Sequence, residues 1–320
     1  MSTRSLRRRQ ALAGIFILAG LLFILIDWGH GDNWPSGKFY IIGTGPAGPE
    51  HATLKALDCL KAADVVLCSE EIGKRFQTYL EGKTILCDPW KGMFDYKGTP
   101  WRELVKLRPE DKKAFQEERI RIRENIIKQI KTEMAQGKRV ALLDEGDPCL
   151  FGPSHWFREG FADHQVEIIP GMGAFSAAMA ALKKSSIPAY DTRFVLQSSP
   201  FFLRSEDPAV REVLRQPATL VFYMGLPELP QMVEVLKKYQ PADLPIAVVY
   251  FAGFPEKEKV VKGTLANILE KISQEKEKWL AMIIVGRCLE GKPYRARVEN
   301  LVGYQDVKKN IKPGSPSLKK

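Results

Sequence analysis

Residues 38–67 constrain the fold more than any other segment. Lys38-Phe39-Tyr40-Ile41-Ile42 is a short run rich in β-formers, ended by a glycine. The turn Gly43-Thr44-Gly45-Pro46-Ala47-Gly48 follows. Glu50 to Ala63 then carries Leu54, Leu57 and Leu60 at helical spacing, and Asp64 to Leu67 (DVVL) reads as a second strand. A strand, a glycine turn, a helix and another strand in this order predict a parallel sheet and an α/β class.

The rest of the body repeats the theme. Pro109 to Gln136 is highly charged, yet Ile122, Ile126, Ile130 and Met134 fall on one face, and Gly137 closes the segment, so an amphipathic helix is predicted. Arg139–Leu143 and Gln165–Ile169 read as buried strands, and Ala174–Leu182 as a helix of small residues. Further strands are expected at Arg193–Leu196, Thr219–Tyr223, Ile246–Tyr250 and Trp279–Val285. Helices are expected at Glu228–Tyr239 and Leu265–Gln274, so that the second half repeats the alternation of the first. This gives two α/β domains, 38–174 and 175–305, after an N-terminal segment 1–37 and before a polar, basic tail 306–320.

The formal charge of +10 suggests a nucleic-acid partner until it is located. Arg4, Arg7, Arg8 and Arg9 supply four of the excess positives, and Lys308, Lys309, Lys312, Lys319 and Lys320 supply five, which leaves residues 10–307 near neutrality. No basic groove, and no nucleic-acid partner, is expected of the body. The five cysteines make no C-x-x-C pair and the four histidines no H-x-x-x-H spacing, so neither a disulfide framework nor a metal site is predicted.

Ala11 to Ile26 is an unbroken run of apolar and glycine residues behind four arginines. Sixteen helical residues span about 24 Å, slightly less than a hydrocarbon core of about 30 Å. No small-x-small cleavage site follows in Asp27 to Asp32, so a single uncleaved transmembrane helix is expected, with Gly29 to Gly37 as linker. The positive-inside rule would put the body on the far side of the membrane from the arginines.

The loop Gly43–Gly48 matches G-x-G-x-x-G in a strand–helix context, with Glu70 and Glu71 about where a ribose-binding acid would stand. An NAD(P) oxidoreductase is one reading. Pro46 and Pro49 count against it, because they stiffen the loop and push the helix start away from the glycines.

A second reading rests on five motifs in order. FYIIGTGPAGPEHATLKALDCLKAADVVL resembles the opening of the tetrapyrrole methylases, the S-adenosylmethionine-dependent enzymes of corrin and sirohaem synthesis. The Arg139–Gly152 stretch, with Gly146-Asp147-Pro148, resembles their strand and GDP loop. Ile168-Ile-Pro170-Gly171 and its helix, Thr219–Gly225 (TLVFYMG), and Pro245–Leu265 resemble the three later blocks. The resemblance covers residues 38 to about 290 and looks closest to the precorrin-4 methyltransferase branch.

The resemblance implies two α/β domains with S-adenosylmethionine in the cleft between them. It implies cofactor contacts from Pro46, Glu145, Gly146, Asp147, Leu150, Gly173, Ala174, Met224 and Ala252, a tetrapyrrole substrate, and a homodimer. Met224 is otherwise an ordinary core methionine, and Gly146-Asp147-Pro148 a plain turn. No catalytic dyad or triad is visible, and methyl transfer from a sulfonium needs none. Arg or Lys side chains would meet the substrate carboxylates. Lys74, Arg75, Lys91, Lys97 and Arg102 are candidates, though each reads first as a solvated surface charge.

The sequence departs from the family at Ser69 and Gly173, where an aspartate and a threonine are common. It also departs in the long segment 72–138, whose Trp90, Phe94, Tyr96 and Trp101 read as a lid or as a satellite core. Because the donor is a cytosolic metabolite, the body is expected to face the cytoplasm, against the charge rule. A non-catalytic membrane-tethered tetrapyrrole-binding protein and an RNA-ribose methyltransferase complete the alternatives.

Overall fold

The computed structural model describes residues 34–290 apart from 101–102, 104–106, 189–191, 201–202, 204–207 and 278. Two five-stranded sheets organise them. The first comprises β1 (Phe39–Gly43), β2 (Val65–Leu67), β3 (Thr84–Cys87), β6 (Val140–Asp144) and β7 (Val166–Ile169), in the order β3-β2-β6-β1-β7 with every pair parallel. A small hairpin, β4 (Asp95–Tyr96) and β5 (Thr99–Pro100), stands apart from it.

The reason β1 and β6 lack an alternating pattern is that both are central strands covered on both faces. Phe39, Ile41, Val140 and Leu142 pack into one core beneath the long helix Pro109–Ala135. Tyr40, Ile42, Ala141 and Leu143 pack into another, with Ala56, Cys59 and Leu60 of the helix Leu54–Ala62. On the long helix Ile126, Ile130 and Met134 are buried as the spacing predicts, and Ile122 packs against the same core. The edge of β2 is fixed by Asp64, whose carboxylate accepts from the backbone N–H of Arg139 at 2.8 Å and from its Nε at 3.0 Å.

The second sheet comprises β8 (Phe194–Ser198), β9 (Ala218–Tyr223), β10 (Pro245–Tyr250), β11 (Lys259–Thr264) and β12 (Ala281–Val285), in the order β11-β10-β12-β9-β8. Its alternation differs from that of the first half. β10 runs antiparallel to both β11 and β12, β12 is antiparallel to β9, and β8 with β9 is the one parallel pair among the described strands of this sheet. The cause is a hairpin: β11 follows β10 through the short turn 251–258 with no helix between them. The helix expected over Leu265–Gln274 is confined to Ile268–Lys271. The helix expected from Glu50 begins instead at Leu54, after a short 3₁₀ turn at Pro49–His51, because Thr53 caps it by accepting from the Ala56 N–H at 3.0 Å.

The helix Ala174–Leu182 lies against the second sheet, and Ala177, Ala178 and Leu182 share a core with Val221, Ala247, Val249 and Ile284. Leu150, from the first half, joins the same core. The expected anchor at Ala11–Ile26 and the tail 306–320 lie outside the described residues. Among the described residues no helix is long and apolar enough to cross a membrane.

Candidate active site

The site is built where β1, β6 and β7 end. Their following loops are pressed together at the backbone. A Cβ on Gly43 would stand 2.4 Å from the Gly171 nitrogen, and one on Gly171 would stand 2.1 Å from the Gly146 carbonyl oxygen. Only glycine permits three chains to nest this closely. The Gly45 and Gly146 backbones exchange hydrogen bonds, Gly45 N–H to Gly146 O at 3.3 Å and Gly146 N–H to Gly45 O at 2.8 Å.

That exchange corrects the dinucleotide reading of the glycine loop. Thr44 N–H donates to Asp144 O at 2.9 Å, and Gly48 N–H to the Glu50 carboxylate at 3.2 Å. Amides that would cradle a pyrophosphate are therefore committed within the protein. Glu70 does not serve a ribose either. It lies in the first turn of the helix Glu70–Arg75, 80% exposed and paired with Lys74.

Asp144, the last residue of β6, is buried and ties down the next loop by accepting from the Ser154 N–H at 3.3 Å. Burial pushes its carboxyl above the usual range. Asp147 accepts from the Cys149 N–H at 2.9 Å, which shapes the turn that carries Leu150 and Phe151. Gly173 is the N-cap of the helix Ala174–Leu182 and offers no side chain to it, and Asp147 lies beside this helix start, its Cβ 3.9 Å from where a Gly173 Cβ would be. The second half supplies the opposite wall. Met224 follows β9, and the turn Phe251-Ala252-Gly253-Phe254 follows β10. A Cβ on Gly253 would stand 3.1 Å from the Pro46 ring and 3.4 Å from the His51 imidazole, so this turn rests on the glycine loop.

Pro46, Gly146 and Ala252 are thus buried at the contact of the three loops and the second-half turn, and Leu150, Ala174 and Ala252 share one apolar core. Asp147 and Gly173 flank the helix start. Glu145 and Met224 are the exposed members, Glu145 held by Arg75 at 2.8 Å and Met224 53% exposed. Of the nine sequence-predicted positions, Pro46, Gly146, Asp147, Leu150, Gly173, Ala174 and Ala252 lie at or beside these loop contacts, while Glu145 and Met224 are exposed on the loops that follow β6 and β9.

Three features escaped the sequence. Phe151 (φ +61°), Met224 (φ +50°) and Phe251 (φ +49°) all hold left-handed backbone without being glycine. Each costs roughly 1–2 kcal/mol, and such strain gathers at ligand sites. No residue-type signal marks a non-glycine in this region of φ/ψ space. Phe151 is also 46% exposed, with its ring 4.9 Å from that of Tyr223. Burial, with the Asp147 charge adding, pushes the Tyr223 phenol to about 12, and its hydroxyl donates to the Gln197 amide oxygen at 2.5 Å.

The family departures have local explanations. Ser69 caps the helix Glu70–Arg75 by accepting from the Ile72 N–H, a task an aspartate also performs. Trp90 packs on Phe157 and so joins the first sheet's own core, Tyr96 packs on Phe115 of the long helix, and Phe94 is 41% exposed. Lys97 lies over the Tyr96 ring in the small hairpin. Trp101 and Arg102 lie outside the described residues.

Two five-stranded sheets flanked by helices, with glycine loops meeting at the ends of β1, β6 and β7, define an α/β class in which ligands bind at the carboxyl ends of the strands. Within that class the assignment is specific. The chain belongs to the tetrapyrrole (corrin/porphyrin) methylases, whose family model matches residues 38–269. A cobalt-precorrin-4 C(11)-methyltransferase of Methanocaldococcus jannaschii is 27% identical over 263 residues, which cover 80% of this chain and 90% of that protein. Among solved structures, a cobalt-precorrin-4 methyltransferase superposes with a TM-score of 0.59 at 22% identity, over 79% of this chain and 96% of that one. A uroporphyrin-III C-methyltransferase of Thermus thermophilus, complexed with S-adenosylhomocysteine, superposes with a TM-score of 0.54 at 21% identity, over 79% and 99%. At these identities the superpositions establish the fold.

Proposed function

We propose that the protein is an S-adenosylmethionine-dependent C-methyltransferase acting on a carboxylate-bearing tetrapyrrole, in or near the precorrin-4 branch. The observation that carries this is the meeting of the Gly43–Gly48, Glu145–Gly152 and Gly171–Ala174 loops, with the Ala252–Gly253 turn resting on Pro46 and Leu150, Ala174 and Ala252 in one apolar core. The site fits such a cofactor: glycine backbones leave room for close approach, and the helix start at Gly173 carries no side-chain cap. Pro46, Glu145, Gly146, Asp147, Leu150, Gly173, Ala174, Met224 and Ala252 are the residues that would hold it. When bound, S-adenosylmethionine supplies a methyl group on a sulfonium whose leaving group is already good.

The protein's own task is then positioning and exclusion of water. Leu150, Met224 and Ala252 offer apolar contact. The buried Asp144 keeps the GDP loop in shape through Ser154. The paired backbones of Gly45 and Gly146 fix the first lobe's floor. Precorrin-4-like and uroporphyrinogen-like macrocycles are the substrate classes suggested by the relatives.

The lobes are taken as 38–174 and 175–305. A single anchor at residues 11–26 would tether them to a membrane, with the body on the cytoplasmic side where the donor is made. A homodimer is expected by analogy with the family. Protease access to the body in sealed vesicles tests the orientation, and light scattering of the purified chain tests the dimer.

The decisive test is titration of S-adenosylhomocysteine into the detergent-purified full chain. Binding with a Kd on the order of micromolar, weakened about tenfold by both Asp147→Ala and Met224→Ala, supports the reading. A folded wild-type chain that binds none removes it. Methyl transfer from labelled donor to uroporphyrinogen III and to cobalt-precorrin-4 then separates the substrates.

A further inference from the structure

Arg75 ends the helix Glu70–Arg75 and stands where both halves meet. Its Nη1 donates to Glu145 Oε1 at 2.8 Å, on the loop after β6. Its guanidinium lies 5.2 Å from the centre of the Phe254 ring, in the turn after β10. That turn in turn rests on Pro46 through Gly253. Arg75 therefore touches each wall of the cleft, and its side chain is only 21% exposed.

The hydrogen bonding of this guanidinium is incomplete. It has five N–H donors in a rigid plane. Among the described residues its one hydrogen-bond acceptor is Glu145, and its Nε is buried with none. A buried donor without an acceptor is costly, and more so on a charged group. The Phe254 ring covers one side of the guanidinium, and the donors that Glu145 does not take remain for a second acceptor. A carboxylate that met this edge could take two parallel N–H···O bonds. Glu145 makes only a single one, and its side chain is 44% exposed, free to swing into water.

We propose that Arg75 is the receptor for a ligand carboxylate at the mouth of the cleft, and that Glu145 occupies it as a surrogate until the ligand arrives. This rests on the tetrapyrrole reading for the body of the ligand. The carboxylate recognition itself rests on the Arg75 geometry. Displacing Glu145 would also free a residue of the GDP loop, so that arrival of the acceptor is felt where the donor is held.

The test uses the full chain in detergent and two titrations. S-adenosylhomocysteine reports the fold and the donor site, and uroporphyrin III, followed by its fluorescence, reports the carboxylate site. Arg75→Gln is expected to weaken uroporphyrin roughly ten- to hundredfold, the worth of a charge-assisted pair. Arg75→Lys, which keeps the charge and loses the fork, is expected to weaken it about tenfold. Glu145→Gln is expected to tighten it about threefold or more, because the competitor is weakened. S-adenosylhomocysteine affinity should change less than about threefold in both Arg75 variants.

Two variant results overturn the proposal. One is uroporphyrin binding by Arg75→Gln at the wild-type level. The other is equal weakening by Arg75→Gln and Glu145→Gln, which would make the pair a strut that props the cleft. Uroporphyrin failing to bind a wild-type chain that still takes S-adenosylhomocysteine also overturns it, and leaves the donor site standing. Loss of S-adenosylhomocysteine binding by the folded wild type tells instead against the methyltransferase reading itself.

Discussion

At the scale of single residues, Met224 separates stability from function. Its left-handed φ of +50° costs about 1 kcal/mol or more that a glycine would not pay. Glycine also adds about 0.5–1 kcal/mol of backbone freedom to the unfolded chain. Met224→Gly is therefore expected to leave the chemical-denaturation midpoint unchanged or slightly raised. The same substitution removes a half-exposed apolar side chain from the cleft wall and should weaken S-adenosylhomocysteine about tenfold. A variant that lost stability and kept its affinity would show Met224 to be ordinary core. The neighbouring Phe151 carries the same strain. Neither conformation could be read in the sequence, since methionine and phenylalanine give no turn signal. The nine candidate positions come from family resemblance alone, whereas glycine spacing by itself pointed to a nucleotide loop. Arg75 appeared only as one basic residue among five. What singles it out is the pairing with Glu145 and the Phe254 face, contacts between segments about 70 and 180 residues apart.

Secondary-structure elements follow a different logic. β1 and β6 were legible because central parallel strands are buried on both faces and read as continuous apolar runs. β3 was missed because its Thr84 and Ile85 are exposed at the edge of the sheet, so no hydrophobic period marks it. The direction of β11 is a matter of pairing, and strand composition carries no information about it. One side chain nevertheless locks an element in register. Asp64 receives three hydrogen bonds from Arg139, two from its side chain and one from its backbone N–H. These hold its carboxyl below the usual carboxylate range, chiefly through the guanidinium. A depressed folded-state pKa means that the stabilisation is present above the unfolded value of about 3.9 and is lost as pH falls through the folded one. The pair is partly solvent-screened, so Asp64→Asn should cost less than about 1 kcal/mol at neutral pH. The difference from wild type should close below about pH 4 in urea melts. A gap that persisted at pH 2 would assign the loss to packing instead of charge.

For the whole molecule, charge and topology matter most. Nine of the ten excess positives belong to the first nine and last thirteen residues. Polyanion binding should therefore reside in the ends. Exchange of the five C-terminal lysines for glutamine is expected to lower the slope of log K against log salt for single-stranded RNA by about 3. An unchanged slope would place the contacts outside the C-terminal lysines, on the N-terminal arginines or on the body. Two sheets, one in each half of the described chain, could be anticipated from the repeated strands. The all-parallel first sheet also followed from the strand–helix–strand order, whereas the mixed second sheet became visible only through its registers.

The pairing of β1 sets a timetable for synthesis. Phe39 is bonded on one side to Val140 and on the other to Val166, so the first strand made has neither neighbour until more than a hundred further residues exist. At about 5–20 residues per second, the wait on the ribosome is on the order of ten seconds. During that time a fully apolar strand has both edges open. The nest of Gly43 with Gly171 cannot close earlier, because its second half has not been made. The second sheet, assembled from residues 194–285, has no such delay. The sheet that emerges first is thus the one completed only when its last strand arrives, and the nascent chain passes through a long interval in which a strand buried on both faces of the finished fold depends on shelter from outside the protein.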